Sequence, residues 1–280
     1  MAAGSPVPTA RGTGERSDMA RTRVTAVTSG KGGVGKTTLA VNLALLLAES
    51  GEEVLIIDAD LGLANVDLML GLEPARHIGH LLLPQFAPED VAIAGPGGVR
   101  VISGGSGLKE LAEAASDTRR LLLDKLRAYC ARFGRVLVDT SPGIGDDVVD
   151  FLRDASEVLL VTTPEPTSLR DAYAAAKTFR RRLPDVDLRL VVNMASSETE
   201  ARKAAAALNE VAAKFLGWQF GEWHYVQSDP LVGKAVGSRT PLVRRYPRSP
   251  VSLSLKLLAE SLVGRSAQEG GSHVLAHTLA

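Results

Sequence analysis

Short apolar runs alternate with longer segments of helical periodicity along most of the chain. The runs are nearly continuous in Val, Ile, Leu and Ala, which predicts parallel strands that are buried on both faces. They lie at residues 24–28, 54–57, 99–102, 135–138, 158–161 and 188–193, and residues 220–226 predict a further, short edge strand.

Between the runs, apolar residues recur at the three- and four-residue spacing of helices that pack on a sheet. The predicted helices lie at residues 36–50, 65–70, from about 108 or 117 to 131, 168–182, 197–215, 230–236 and 250–263, with loop and short helix over 81–94. This alternation predicts an α/β fold with a doubly wound, mainly parallel sheet flanked by helices. Such sheets bind ligands at the carboxyl ends of their strands.

Both ends of the chain lack this pattern. Residues 1–20 are rich in Gly, Pro, Ala, Ser and Thr, and residues 264–280 contain Gly270-Gly271 and only a brief apolar stretch. We therefore predict a flexible N-terminal tail over residues 1–20, one domain over 21–263 and a flexible C-terminal tail over 264–280.

The charges of the chain are balanced, with 32 Lys and Arg against 32 Asp and Glu, so no overall field attracts nucleic acid or anionic membrane. The single cysteine, Cys130, excludes an internal disulfide, a Cys-rich zinc site and a four-cysteine iron–sulfur cluster within one chain. We find neither a secretory signal nor an apolar run of the roughly 18 to 20 residues that a membrane span needs. We expect a soluble, cytoplasmic protein.

A glycine-rich segment joins the first predicted strand to the first long helix. Gly30, Gly35, Lys36 and Thr37 match the pattern G-x-x-x-x-G-K-[ST]. In this pattern backbone N–H groups surround the phosphates of a nucleotide, the lysine reaches the outer phosphates and the hydroxyl reaches Mg²⁺. The predicted phosphate-binding residues are Gly30, Lys31, Gly32, Gly33, Val34, Gly35, Lys36, Thr37 and Thr38.

Aspartates follow two of the predicted strands. Asp139 comes directly after residues 135–138, and we expect it to hold Mg²⁺ directly or through a water. Asp58 and Asp60 follow residues 54–57, where the alternative role of an aspartate is to cap a turn. Three carboxylates at strand ends beside a phosphate loop favour a hydrolytic site, with Thr37, Asp58 and Asp139 as predicted metal ligands.

Several segments resemble a known family. Ser29-Gly-Lys-Gly-Gly-Val-Gly-Lys-Thr-Thr38, Asp58-Ala-Asp-Leu-Gly62 and Asp139-Thr-Ser-Pro-Gly-Ile144 resemble the MinD/ParA family of ATPases, which are P-loop NTPases of the SIMIBI type. Thr163-Pro-Glu-Pro-Thr-Ser-Leu-Arg-Asp-Ala-Tyr-Ala174 is similar to the FlhG branch, also called FleN or YlxH. The resemblance implies slow, partner-stimulated, Mg²⁺-dependent hydrolysis of ATP to ADP and phosphate. That branch regulates flagellar number and placement in bacteria.

The resemblance also implies roles for single residues in catalysis. Lys31 would cross a face-to-face homodimer, formed with ATP, to contact the partner's phosphates. Lys36 and Thr37 would serve the nucleotide and Mg²⁺ of their own chain. Asp60 would orient the attacking water, and Asp139 would lie in the second switch segment.

Outside the phosphate loop, the same resemblance places Asn193 and Asp229 beside the adenine and Glu165 against the partner's nucleotide. The partners that it implies are an SRP-type flagellar GTPase (FlhF), flagellar switch-ring proteins or a transcription regulator. It further implies peripheral contact with the inner face of the membrane through an amphipathic C-terminal helix. Residues 251–263 are amphipathic, but a helix that packs on the core has the same pattern, and the scarcity of basic neighbours favours the core.

Other functions stay open. A ParA-like or MinD-like positioning ATPase that acts on DNA or membrane is the main alternative. The basic clusters that would contact DNA are Arg180-Arg181-Arg182 and Arg244-Arg245-Tyr246-Pro247-Arg248. A metabolic P-loop kinase has no need for Lys31. A GTPase is disfavoured because no Asn-Lys-x-Asp segment follows the loop.

Overall fold

An eight-stranded sheet forms the centre of the protein, seen in a computed structural model that describes residues 22–60, 64–105 and 116–275, with the backbone alone over 116–119 and 264–275. The strand order is β3-β4-β2-β5-β1-β6-β7-β8, and all neighbours are parallel except β3 and β4. The strands are β1 Arg23–Thr28, β2 Val54–Ala59, β3 Ile93–Ala94, β4 Arg100–Ile102, β5 Arg135–Thr140, β6 Glu157–Thr162, β7 Asp187–Ala195 and β8 Trp223–Gln227.

Helices cover both faces of this sheet. They are α1 Lys36–Glu49, α2 Val66–Leu70, α3 Pro88–Val91, α4 Ser116–Cys130, α5 Asp146–Leu152, α6 Pro166–Arg182, α7 Glu198–Leu216, α8 Leu231–Gly237, α9 Leu242–Arg245 and α10 Pro250–Leu275, with 3₁₀ turns at Ile78–Leu82 and Pro96–Gly98. One apolar core joins the sheet to α4–α7, and a second joins it to α1, α2 and α8–α10. The predicted doubly wound, mainly parallel α/β fold is therefore confirmed.

The structure differs from the sequence prediction mainly at short elements and at the last helix. The strand Ile93–Ala94 lies within the segment predicted as loop and short helix, and it forms because residue pairs such as Ile93 and Val101 meet across an antiparallel ladder. The last helix does not end at Val263, as predicted, but continues to Leu275. Each glycine costs a helix only about 1 kcal/mol, and the other residues of this segment tolerate helix. The flexibility of residues 264–280 stays a prediction. Residues 1–20 lie outside the described ranges.

The amphipathic part of α10 packs on the core. Val251, Leu255, Leu258 and Leu262 are each at most 2% exposed, and they contact the cluster that contains α1. The core-packing interpretation of this face is confirmed, and the face is not available to a membrane. Among the described residues, no helix is long and apolar enough to cross a membrane.

The strand order brings the predicted site residues to one edge of the sheet. β1 lies between β5 and β6, and β2 lies on the other side of β5. Asp58 on β2 stands directly opposite Asp139 on β5. The carboxyl ends of β1, β2 and β5 therefore meet beside the glycine-rich loop, at the position where doubly wound sheets bind ligands.

Candidate nucleotide-binding site

The glycine-rich loop leads from β1 into the first turn of α1. Gly35 is the N-cap residue of α1 and has a left-handed backbone, with φ 91°. A Cβ atom there would also overlap the amide nitrogen of Asn193. Both the backbone angle and the close approach require glycine, so the loop keeps its shape and directs the free N–H groups of the α1 N-terminus outward. Those groups and the helix dipole favour an anion.

A second glycine of the loop is needed for packing. A Cβ atom at Gly30 would overlap the backbone carbonyl of Asp171 in α6. The loop therefore lies directly on the backbone of α6, which explains why the first position of the motif is glycine in this chain. Because α6 begins at the carboxyl end of β6, it and the loop form one surface.

Lys36 is the buried cation of the site, with 6% of its surface exposed. Burial lowers the pKa of its ammonium, while the nearby carboxylates of Asp139 and Asp60 act in the opposite direction. The negative charges of Asp139 and Asp60 favour the charged form of this buried ammonium, which is the form that can bind a phosphate. The structure thus places Lys36, Asp60 and Asp139 close together, and their roles stay predictions.

Asp139 is a fully buried carboxylate, 0% exposed. Neither Oδ1 nor Oδ2 makes a hydrogen bond of normal geometry within the described residues, but the Thr37 hydroxyl lies near enough to interact with the carboxylate. Burial and the charge of Asp58 raise the pKa of Asp139 to about 8, whereas the Thr37 hydroxyl and the charge of Lys36 lower it. Such a group is costly unless a cation or donor completes it. A carboxylate beside a threonine hydroxyl is the hard oxygen donor set that suits Mg²⁺.

Asp58 supports the backbone of the neighbouring loop. Its Oδ1 accepts from the Asp60 N–H at 3.0 Å, and its Oδ2 accepts from the N–H groups of Asn65 at 2.9 Å and Val66 at 3.0 Å. Burial raises its pKa to about 6, against the lowering by these hydrogen bonds. The capping role that the sequence left open for Asp58 is therefore present. Its role as a metal ligand stays a prediction.

Asp60 connects the two segments that follow β2 and β5. The Ser141 hydroxyl donates to Asp60 Oδ1 at 3.1 Å, and Ser141 also lies within reach of the Ala59 carbonyl at 3.5 Å. This hydrogen bond joins the two segments in the structure. The sequence predicted no role for Ser141, because a hydroxyl beside a strand end is not part of a recognisable pattern.

Lys31 lies against α6. Its ammonium donates to Glu165 Oε2 at 2.9 Å and to the Thr167 hydroxyl at 3.1 Å. Both the Lys31 and Glu165 side chains are partly exposed, at 37% and 66%. Sequence reasoning expected both residues at a partner's nucleotide and did not foresee their contact within one chain; Thr167 had no predicted role. Those expected roles across a dimer stay predictions.

Asn193 and Asp229 line one cavity of about 150 Å³ next to the loop. The amide of Asn193 donates to the Val34 carbonyl at 2.7 Å, and Asp229 Oδ1 accepts from the Leu231 N–H at 2.8 Å. Asn193 thereby holds the phosphate loop, a role that the sequence did not reveal. The position of both residues agrees with a base pocket, and their contact with adenine stays a prediction.

Comparison with known proteins identifies similar proteins that align with most of this chain. The ParA family model, described as NUBPL iron-transfer P-loop NTPase, matches residues 20–263. Antiactivator FleN of Pseudomonas aeruginosa is 41% identical over 240 residues, which cover 86% of each chain. The flagellum site-determining protein YlxH of Helicobacter pylori is 32% identical over 249 residues, which cover 87% of this chain and 83% of YlxH.

The fold also matches a solved structure that contains a nucleotide. The septum site-determining protein MinD from Pyrococcus horikoshii, complexed with Mg-ADP, superposes with a TM-score of 0.73 at 24% sequence identity. The superposition covers 88% of this chain and 98% of MinD. It supports the same fold.

Proposed function

Because this chain belongs to the MinD/ParA family of P-loop ATPases, in its FlhG branch, we propose that it is a switch that dimerises with ATP and separates after hydrolysis. The observation that carries this proposal is the convergence of Lys36, Asp60 and the buried carboxylate of Asp139 at the phosphate loop. In this proposal the cofactors are ATP or ADP and Mg²⁺.

The residues of the site would divide the work as follows. The N–H groups of the loop and the buried ammonium of Lys36 bind the phosphates, and Thr37 and Asp139 would hold Mg²⁺. Bound Mg²⁺ would neutralise charge on the phosphate oxygens. Asp60 would orient the attacking water, and its hydrogen bond to Ser141 keeps its carboxylate in place until the water and nucleotide arrive.

Lys31 would complete the site in a second copy. Phosphoryl transfer depends on positive charge near the transferred group, and a cation supplied by a partner can contribute roughly 10³ to 10⁵ in rate. Lys31 is partly exposed on the surface that carries the loop. If this charge comes from the partner, hydrolysis requires dimerisation, and ATP favours the dimer because only its γ-phosphate offers Lys31 a target.

The regulatory role follows from the relatives. FleN is an antiactivator and YlxH is a flagellum site-determining protein, so we propose that this chain controls flagellar number or position through protein partners. An SRP-type flagellar GTPase, a switch-ring protein and a transcription regulator are the partner classes that we propose. Peripheral contact with the membrane would come through such a partner, because the apolar face of α10 is buried.

Sedimentation velocity tests the switch. With a non-hydrolysable ATP analogue and Mg²⁺, the wild-type protein should sediment as a dimer, whereas Lys31→Ala should bind the analogue and stay monomeric. Asp60→Ala should accumulate as a dimer with ATP itself, since it lacks the residue that orients water. A Lys31→Ala variant that dimerises like wild type would contradict the mechanism.

Action on DNA is the alternative, and the contacts of Arg180 and Arg182 do not favour it. Arg180 stacks on Trp218 and donates to the Pro184 carbonyl, while Arg182 pairs with Asp146 at 2.8 Å. These arginines therefore have partners within the chain. ATP-dependent, salt-sensitive retention of nonspecific DNA would favour the alternative.

Iron transfer, named in the description of the family model, is not part of our proposal. The only cysteine, Cys130, is buried, and burial raises the pKa of its thiol to about 12. A neutral, enclosed thiol is a poor ligand for iron.

A further inference from the structure

Met194 lies at the point where β7 departs from regular pairing with β8. Val192 pairs with Tyr225. The next pair is Ala195 with Gln227, so β7 has one residue more than β8 over this stretch. Such a bulge changes the direction of the side chains that it contains. Met194 has a left-handed backbone there, with φ 58°, which is uncommon for a residue with a long side chain.

The Met194 side chain forms part of the cavity beside the phosphate loop. It lines the cavity of about 150 Å³ together with Val226 and Leu255, which are both buried. Its methyl carbon lies 3.4 Å from the position that a Cβ atom at Gly35 would occupy. Met194 is nevertheless 43% exposed. It therefore supplies an apolar part of the cavity wall and is also accessible to solvent.

The other sulfur atoms of the described residues are enclosed. Met69 is 7% exposed and belongs to the core around α1. Cys130 is also 7% exposed, and burial raises the pKa of its thiol to about 12, so little of the reactive thiolate forms. Among the described residues, Met194 is thus the sulfur that an oxidant in solution can reach.

We propose that Met194 is a site of oxidation by peroxides, and that this oxidation lowers the affinity of the protein for ATP. The peroxide transfers one oxygen atom to the Met194 sulfur, which supplies two electrons as the O–O bond breaks. With hydrogen peroxide, the products are methionine sulfoxide and water. The inference rests on the proposed binding of ATP and on the placement of its adenine in this cavity.

Oxidation changes the polarity of the cavity wall. It replaces an apolar thioether by a strongly polar S=O group. A base that binds against the wall must remove this group from water, which costs free energy that the thioether does not cost. The phosphates would bind at the N-terminus of α1, so their contribution stays. Oxidation therefore weakens binding through the base alone.

The test is the dissociation constant for Mg·ATP, measured by calorimetry before and after treatment with hydrogen peroxide. Mass spectrometry of peptides follows the oxidation of each methionine. Oxidised wild type should bind ATP about 2- to 30-fold more weakly, the cost of covering a polar group that keeps part of its hydrogen bonding. Affinity for inorganic triphosphate should not change. Methionine sulfoxide reductases A and B should together restore the affinity for ATP, because each reduces one sulfoxide epimer.

Two leucine variants provide the matched comparison. Met194→Leu removes the sulfur and keeps an apolar side chain. Each protein is compared with its own untreated form, so a change in the starting affinity does not affect the result. Met194→Leu should lose the response to peroxide, although Met1 and Met19 remain in the chain. Met69→Leu should respond like wild type.

Protection by the nucleotide gives a measurement that needs no variant. Mg·ATP should slow the oxidation of Met194 in wild type, because the base would cover its sulfur. Inorganic triphosphate with Mg²⁺ should not slow it. Oxidation of Met194 at the same rate with and without Mg·ATP would show that the base binds elsewhere, and the inference would be wrong.

The outcomes separate the inference from the proposed function. If untreated wild type binds ATP and oxidation leaves that affinity unchanged, the inference is wrong while the proposed function stands. The same holds if Met194→Leu responds to peroxide like wild type. An equal loss of affinity for inorganic triphosphate would also overturn the inference, because the sulfoxide would then act on the phosphate loop. If untreated wild type binds no ATP, the proposed function fails and the inference fails with it.

Discussion

The two edges of the sheet differ in how their buried charged side chains are paired. At the amino ends of the strands, Arg135, Glu157 and Arg189 are at most 4% exposed, and each has a charged partner. At the carboxyl ends, Asp139 is equally buried but makes no hydrogen bond of normal geometry within the described residues, and Lys36 is desolvated beside it. The same scaffold thus pairs its buried charges at one edge and leaves the carboxylate of Asp139 incompletely paired at the other.

The paired edge is a network centred on Glu157. Its Oε1 accepts from Thr25 at 2.8 Å and from Arg135 at 3.2 Å, and its Oε2 accepts from Arg189 at 3.0 Å. Arg135 also donates to the Leu262 carbonyl at 3.2 Å, which fixes α10 against the sheet. These charges serve the fold, whereas we propose that those at the other edge serve a ligand.

The largest expected effect comes from breaking the paired edge. Glu157→Gln should lower the free energy of unfolding by about 2–3 kcal/mol, because two buried guanidinium groups lose their shared carboxylate and keep only their outer partners, Glu52 and Glu222. Urea denaturation measures this loss. ATP affinity of the folded fraction should stay within about twofold of wild type, since a six-residue strand separates the two edges by roughly 20 Å.

Glu89 and Arg132 form an exposed ion pair, which provides the comparison for the loss of unfolding free energy in Glu157→Gln. Glu89→Gln should change the free energy of unfolding by less than about 1 kcal/mol. Similar losses for Glu89→Gln and Glu157→Gln would show that burial of the network does not matter and would remove the contrast between the edges.

At the carboxyl edge, replacing Asp139 should change the free energy of unfolding with the opposite sign. The pKa of Asp139 is about 8 in the folded protein, above the roughly 3.9 of an unfolded chain. Its contribution to stability is therefore present below about pH 4 and is lost as the pH rises through 8. Asp139→Asn removes this loss, so at pH 8.5 without nucleotide it should be more stable than wild type by about 1–3 kcal/mol, yet inactive as an ATPase.

Urea curves at pH 5.5 and 8.5 provide the check for Asp139→Asn. Asp58, whose raised pKa is about 6, also titrates in this range and its charge interacts with that of Asp139. The difference between the two proteins therefore reports Asp139 together with its coupling to Asp58. A variant that is less stable than wild type at pH 8.5 would mean that Asp139 has stabilising partners in the folded protein.

A smaller effect, on the affinity for ATP, is expected when a hydrogen bond that holds the phosphate loop is removed. Asn193→Ala removes the hydrogen bond to the Val34 carbonyl, so affinity for ATP should fall by about 5- to 10-fold, a cost typical of one buried hydrogen bond. Inorganic triphosphate, which lacks the base, should lose a similar factor in a calorimetric titration. A loss confined to ATP would assign Asn193 to the adenine and not to the loop.

Repeating patterns in the sequence were sufficient to predict the strands and the phosphate loop. Features that depend on a single contact could not be predicted. Apolar runs such as that of β2 predicted the buried strands, and the G-x-x-x-x-G-K-[ST] spacing predicted the loop around Lys36. The contact of Lys31 with α6 was not predictable, because the direction of a long exposed side chain depends on acceptors more than 130 residues away. The pairing of β3 with β4 and the continuation of α10 past Val263 likewise depend on local context.

The most direct test of the contrast is thermal unfolding at pH 8 with and without Mg·ATP. At about 100 times the dissociation constant a ligand stabilises its protein by about 2.7 kcal/mol, which raises Tm by roughly 5–10 °C for a domain of this size. Wild type and Glu157→Gln should both show this rise, although the variant starts from a lower Tm, and Asp139→Asn should lose most of it. An equal rise in Asp139→Asn, or none in wild type, would contradict the claim that the charges at the carboxyl edge are completed by Mg·ATP.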